Sequence, residues 1–336
     1  MTFQESSVSA LGGMARVTSN SDFFGCPPWV AQDKWNNYRT SYTEASKGNS
    51  SFIQLDLELA DNCNYKCIEC PISDDLTTRS IHYLDKDKAL VALLSARKAG
   101  AVALKLNYIN EPLLDLEKLI DIAQVASDIG FIDIYFTTNG SMLSEETSRK
   151  LISSKLFSRI QVSLDALNPD TYSRIRRGGN LDKVKNNIFQ YLDIRALLDT
   201  SWPKLRVSFL SLPENKDEEI DFFNFWINVV DAVAVQSSVL KPNSKRKDLK
   251  YFQGQRSSFC PNPFRQLVLR ANGSILPCCS FWGEQLVLGT FEEASSLESA
   301  LNSDIMKDIR DSFTCSDHPL RSACVSCLSS CDPSAL

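Results

Sequence analysis

The chain has 336 residues, 43% hydrophobic and 23% charged, the make-up of an ordinary globular protein with room for one large domain and a smaller one. Its 36 basic and 41 acidic residues give a net charge of -5, and the one short basic block is Lys245-Arg246-Lys247, so no nucleic acid is expected as a partner. Neither an export signal nor a run of 18 apolar residues is present, so no membrane partner is expected and the cytoplasm is the expected compartment.

Residues 1–50 are rich in Ser, Asn and Thr and carry Pro27-Pro28, Trp29, Trp35 and Tyr38. They read as an N-terminal extension with a short helix, packed on the larger domain. Over 51–240, strand-like stretches near 53–59, 101–108, 132–138, 159–165, 204–212 and 229–239 alternate with helix-like stretches near 86–99, 115–129, 144–155, 180–198 and 216–228. In the second helix Leu116, Leu119, Ile120, Ala123 and Ala126 recur at three- and four-residue steps along one face. This alternation predicts an α/β fold with a parallel sheet and right-handed crossovers.

Parallel strands covered on both faces read as continuous apolar runs, but these alternate. Asp56, Glu58, Lys105, Asn107, Tyr135, Thr137, Gln161, Ser163, Asp165, Arg206 and Ser208 fall on one face. Val102, Leu104, Leu106, Ile134, Phe136, Ile160, Val162, Leu164, Leu205, Val207 and Phe209 fall on the other, toward the helices. The pattern predicts a curved barrel whose lumen holds a polar ligand. Residues 241–258 read as a polar linker, and 259–336 as a small domain. In it a hairpin, Gln266–Arg270 and Ser274–Pro277 about an Asn272-Gly273 turn, precedes a helix with Leu297, Leu301, Ile305, Ile309 and Phe313 on one stripe.

Eleven cysteines in a chain of this size, clustered at ligand spacings, point to metal rather than disulfides, and two histidines leave little for histidine-centred acid/base or zinc-hydrolase chemistry. Cys63, Cys67 and Cys70 lie within eight residues, directly after the first barrel strand. Three thiolates so placed can hold three irons of a 4Fe-4S cube and leave the fourth open to a small molecule. A structural zinc loop would use cysteines too, but such sites usually pair two CxxC knuckles, and here no fourth Cys or His is near.

The CxxxCxxC spacing on a loop after a first strand resembles the radical S-adenosylmethionine (radical SAM) superfamily. The resemblance implies a partial (βα)6 barrel, a 4Fe-4S cluster on Cys63, Cys67 and Cys70, and S-adenosylmethionine (SAM) chelated to the open iron and cleaved to a 5'-deoxyadenosyl radical. It further implies that Glu111, in Asn107-Tyr108-Ile109-Asn110-Glu111-Pro112, receives the methionyl amine, although Ile109 and Asn110 replace the family's two glycines. Asn139 stands at another position near SAM, Ser163 at one that meets the ribose, and Arg176 or Arg177 at one that suits the SAM carboxylate.

In the tail, Cys260-x12-Gly273-x4-Cys278, then Cys324-x2-Cys327, resembles the SPASM/twitch extension of the same superfamily, the shorter twitch form fitting better. It implies an auxiliary 4Fe-4S cluster on Cys260, Cys278, Cys324 and Cys327, with zinc the alternative. Cys279, Cys315 and Cys331 remain over, and Cys331 is an alternative ligand in place of Cys324. Cys279 is the candidate catalytic thiol, a hydrogen-atom donor to a substrate radical. The expected activity is oxidation or epimerisation of a small polar, sugar-like metabolite, with an electron donor of the flavodoxin or ferredoxin kind. The alternatives are maturation of a ribosomally made peptide, and a non-catalytic Fe-S or zinc-binding interaction protein.

Overall fold

The computed structural model describes residues 3–10, 13–20, 23–49, 52–73, 80–237 and 259–329. The chain opens with β1 (Phe3–Ala10), β2 (Gly13–Asn20) and α1 (Gln32–Ala45). An alternating array comes next: β3 (Gln54–Leu57), α2 (Lys86–Lys98), β4 (Ala103–Lys105), α3 (Leu116–Asp128), β5 (Asp133–Thr138), α4 (Glu145–Ser154), β6 (Arg159–Ser163), α5 (Pro169–Ile175), α6 (Leu181–Leu197), β7 (Lys204–Ser211), α7 (Glu219–Trp226) and β8 (Ala232–Ser237). The last part holds α8 (Asn262–Arg265), β9 (Gln266–Leu269), β10 (Ser274–Leu276), β11 (Gly289–Thr290), α9 (Ser296–Leu301), α10 (Asp304–Thr314) and α11 (Ser322–Ser329).

All the strands belong to one sheet, ordered β1-β2-β8-β7-β6-β5-β4-β3-β9-β10-β11. From β3 to β8 neighbours follow chain order and every pair is parallel, the sheet expected from the alternation and the partial (βα)6 form implied by the resemblance. Local chemistry starts the helices. Asp85, Asp115, Ser144 and Asn180 each sit at an N-cap and accept a hydrogen bond from a first-turn N–H of α2, α3, α4 and α6. The apolar strand face, including Leu104, Ile134, Phe136, Ile160, Val162, Leu205 and Val207, is buried in the main core with Leu93, Leu119, Ile122, Val184 and Ile188 from the helices.

Both edges of the six-stranded unit are covered, which removes the open N–H and C=O rows that invite aggregation. On the β8 side, β2 pairs antiparallel from Ala15↔Gln236 to Ser19↔Ala232, and β1 pairs with β2. On the β3 side, β9 pairs in parallel from Gln54↔Gln266 to Leu57↔Leu269, so the hairpin expected at 266–277 begins as a strand of the barrel sheet. An ion pair locks that junction. Glu58, fully buried, takes Arg270 Nε at 3.1 Å and the N–H groups of Ala271 and Ile109 at 3.2 and 3.3 Å, while Arg270 Nη1 reaches Glu284 Oε1 at 3.0 Å.

Three regions depart most from expectation. β1 and β2 lie in a Ser- and Gly-rich stretch with weak strand propensity, and pairing with β8 imposes their conformation. The short α5 follows the fourth barrel strand, opened by Asn168 as cap and Pro169 at its first position. The single helix expected across Leu297–Phe313 is two, α9 and α10, because the Ser303 side chain accepts the Met306 N–H and starts a new helix. The expected linker 241–258 and Cys331 lie outside the described residues.

Because Glu58 and Arg270 are buried together, removing one partner leaves an uncompensated charge. Arg270→Met is expected to cost about 3–5 kcal/mol in urea unfolding, and Glu58→Leu/Arg270→Met clearly less. Equal losses in the two variants would show that the pair does not carry the junction.

Candidate active site

The polar strand face lines a cavity of about 710 Å³. Asp56, Lys105, Asn107, Tyr135, Thr137, Gln161, Ser163, Asp165, Arg206 and Ser208 all border it, as the alternation predicts. Glu58 is the departure: its carboxylate is turned to Arg270 and the β9 junction. Across the parallel register the lumen is layered, with Gln161 opposite Arg206 and Ser163 opposite Ser208 one step nearer the carboxyl ends of the strands.

Seven of the expected site residues, Cys63, Cys67, Cys70, Glu111, Asn139, Ser163 and Arg176, border this one cavity, and so does Cys279. The cysteine loop has no regular structure of its own and is held from outside. Lys66 N–H donates to Arg177 O at 2.8 Å and Ile68 N–H to Ile175 O at 3.1 Å. The Arg-Gly-Gly turn lies flat against it: a Cβ on Gly179 would sit 2.6 Å from Tyr65 ring carbons, and Gly178 (φ +90) faces Asn64 O. Glycine is required there by close approach as much as by backbone angle.

The two loops after β4 and β5 support the same corner. Glu111 accepts from Asn139 N–H at 2.7 Å, Thr138 Oγ1 at 2.6 Å and Leu113 N–H at 3.1 Å, and its own N–H donates to Asn62 O at 2.9 Å. Burial raises the Glu111 carboxyl to about 7 against these donors, so it changes charge near neutral pH. Asn139 Nδ2 donates to Asn64 Oδ1 at 2.8 Å and lies 3.9 Å from Cys63 Sγ. Arg176 Nη1 lies 3.6 Å from Cys67 Sγ, and its other terminal nitrogen pairs with Asp165, whose φ of 63° and bond from Leu210 N–H fix it in the turn after β6. Arg177 is exposed, so Arg176 is the arginine of this site.

The remaining four expected ligands converge elsewhere. Cys260, Cys278, Cys324 and Cys327 border a second, small apolar pocket with Trp282, Leu286, Ile309 and Phe313. Adjacent residues of the turn after β10 thus serve different sites, Cys278 the small pocket and Cys279 the large cavity. Cys315 is exposed and borders neither.

Both thiol sets suit iron-sulfur clusters. Burial raises Cys63 to about 11, Cys70 to about 12, Cys260 to about 11 and Cys324 to about 12, so thiolates in these places call for a bound cation. Among the described residues no three His, Cys, Asp or Glu side chains come together around a single ion. One thiolate per iron, as a cluster takes, needs no such convergence. Sequence reading missed Asn64, Tyr65 and the close-fit role of Gly179, because the close approach that defines them joins segments more than a hundred residues apart. Arg159, on the lumen face below Gln161, was missed as well.

Comparison with known proteins agrees with this geometry. The model of the Radical SAM superfamily matches residues 57–194, and that of an iron-sulfur cluster-binding domain, SPASM, matches residues 260–328. A probable GTP 3',8-cyclase of Methanocaldococcus jannaschii is 29% identical over 171 residues, 51% of this chain and 54% of that protein. GTP 3',8-cyclase of Limosilactobacillus fermentum is 26% identical over 172 residues, 50% of this chain and 49% of that protein. The chain spans about half the length of these curated relatives. SuiB of Streptococcus suis, bound to precursor peptide SuiA, shares the fold with a TM-score of 0.59 at 18% identity, over 90% of this chain and 77% of that one. The structure of anSMEcpe with bound AdoMet and Cp18Cys peptide gives 0.56 at 13% identity, over 78% and 83%.

Two outcomes test the corner. Gly179→Ala should push Tyr65 and its loop away, so the anaerobically reconstituted variant should lose about half its iron while keeping its helical circular dichroism. Full iron retention would show that the contact does not matter. For Glu111 the folded pKa lies above the ordinary carboxyl value, so between the two the native state holds the extra proton and stability falls as pH rises toward about 7. The stability difference between SAM-free wild type and Glu111→Gln should therefore shift against wild type from pH 5 to 8, and a difference independent of pH would contradict the assignment.

Proposed function

The chain belongs to the radical SAM superfamily and carries a C-terminal SPASM-type extension, and on that premise we propose that it reductively cleaves SAM and epimerises a small polar, sugar-like substrate in the large cavity. The observation that carries this reading is Cys279, a buried thiol outside the four-cysteine pocket that borders the same cavity as Cys63, Cys67, Cys70 and Glu111. A 4Fe-4S cluster would be held by Cys63, Cys67 and Cys70, and with SAM bound it would supply the one-electron cleavage of SAM to methionine and a 5'-deoxyadenosyl radical able to take a hydrogen atom from substrate carbon.

The protein's own residues do the rest. Glu111, positioned by the Asn139 N–H and Thr138, presents a carboxyl that binds an ammonium once it has lost its proton. Arg176 offers a cation beside Cys67, and Ser163 a hydroxyl at the end of β6. Polar lumen groups orient hydroxyls of the substrate. Cys279 then returns a hydrogen atom to the substrate radical from a different direction. The sulfur radical so formed takes back one electron, for which a flavodoxin- or ferredoxin-type donor is the proposed source, and one proton from solvent.

Sequence likeness to GTP 3',8-cyclases, which by name act on a small molecule, supports a small-molecule substrate. The shared fold with peptide-bound SuiB supports a second reading, modification of one residue of a peptide. The reconstituted protein should hold about eight irons, fall to about four when Cys63, Cys67 and Cys70 are replaced by Ala, and lose 5'-deoxyadenosine formation with them. In deuterated water, product formed by wild type should carry solvent deuterium on carbon, and Cys279→Ala should lose that label. A two-electron oxidised product without label would remove the thiol-donor role and favour oxidation.

A further inference from the structure

Below the Ser163 and Ser208 row the cavity changes character. Arg206, on the lumen face of β7, borders the cavity and donates to Gln161 Oε1 across the parallel register. Its Nε is buried and has no hydrogen-bond partner among the described residues. No carboxylate pairs with it there either, in contrast to Arg159 with Asp133, Arg176 with Asp165, and Lys105 with Asp56. Arg159, stacked on Tyr135 at 3.6 Å from the ring centroid, lies close enough to oppose its charge.

A half-buried guanidinium with its Nε out of solvent and no carboxylate partner is costly, because desolvation is not repaid by a partner of opposite charge. Burial and the neighbouring Arg159 together push Arg206 down to about 10, the direction expected of a cation whose counter-charge is missing. Guanidinium also has the fork geometry that fits an oxyanion in two-point contact.

We propose that Arg206 anchors an oxyanion of the substrate, a phosphate or a carboxylate, in the row of the lumen one step deeper than Ser163 and Ser208. Strand geometry puts that row about 6.6 Å farther back along the strands. The substrate is then an acidic small molecule, held by its charged end at Arg206 and Gln161 with its neutral, hydroxyl-bearing end toward SAM. The cavity of about 710 Å³ suits a cofactor and a small acid better than a long peptide chain. This assignment deepens the functional reading above and rests on it for the position of SAM.

The test uses the anaerobically reconstituted full chain and two simple probes, inorganic phosphate and acetate, at constant ionic strength set with sodium chloride. The thermal midpoint of wild type should rise by a few degrees with at least one probe, and which probe acts tells phosphate from carboxylate recognition. Arg206→Met, which deletes the lone charge and keeps the volume, should melt higher than wild type without anion and show no anion-dependent rise. Arg206→Lys keeps the charge without the fork and should need at least tenfold more anion for the same rise. No rise in wild type with either probe, or an undiminished rise in Arg206→Met, would overturn the proposal. A 5'-deoxyadenosine assay on the same wild-type sample separates the two readings: loss of SAM cleavage with anion binding intact defeats the functional proposal alone, and the converse defeats this one alone.

Discussion

The pairing of β9 with β3, fastened by Glu58 and Arg270, is the constraint on which the rest depends. It makes the first strand of the C-terminal segment a member of the barrel sheet and so fixes where the turn after β10 falls. That turn carries Cys278 and Cys279 in a bent stretch beyond the end of β10 that lies between the two sites. One thiol therefore enters the four-cysteine pocket and its neighbour the large cavity. Tyr108, on the loop after β4, reinforces the placement: its hydroxyl donates to Ser280 O at 3.1 Å, and Arg270 lies over its ring at 5.3 Å.

The cysteine loop of residues 63–70 is positioned by a different logic. It comes after a strand but contains only a short turn, so its coordinates are set by what leans on it. The end of α5 and the segment after it supply two backbone bonds and the glycine contact with Tyr65, while Glu111 N–H and Asn139 Nδ2 hold Asn62 and Asn64. Four separate connections at the carboxyl ends of the strands thus meet in one corner, where parallel α/β folds build their sites. Arg176 is the hinge of that corner, touching Cys67 on one side and Asp165 on the other.

Much of this was legible in the sequence wherever the signal is local. Side-chain direction in a strand repeats every two residues, so the lumen rows could be counted off, and ligand spacing separated Cys63, Cys67 and Cys70 from Cys260, Cys278, Cys324 and Cys327. What escaped was set by distant partners. Glu58 has the right parity for the lumen, but an arginine more than two hundred residues away turns it to the junction. β1 and β2 have no strong pattern and form because β8 offers an edge. Arg176 and Arg177 were indistinguishable until the turn after α5 half-buried one and exposed the other. Ile109 and Asn110, standing where the superfamily has two glycines, keep the loop ordered by other bonds, Ile109 N–H to Glu58 and the Asn110 side chain to Tyr108 N–H.

The lumen rows also divide labour by depth. Thiols, Glu111 and the two serines cluster at the carboxyl ends of the strands, where the loops converge. Farther in, cations are held by aromatic rings and by the sheet itself: Arg159 on Tyr135, Arg206 beside Gln161, Arg265 over Tyr42 of α1. Groups on strands are placed more rigidly than groups on loops, so the deep row suits a fixed anchor and the upper row suits chemistry. A radical reaction needs that division. In the proposed reaction the reacting carbon must stay within reach of a single abstracting atom, with Cys279 as the proposed donor nearby, and a molecule tethered at its far end by a strand-borne charge would have few ways to turn toward the wrong hydrogen.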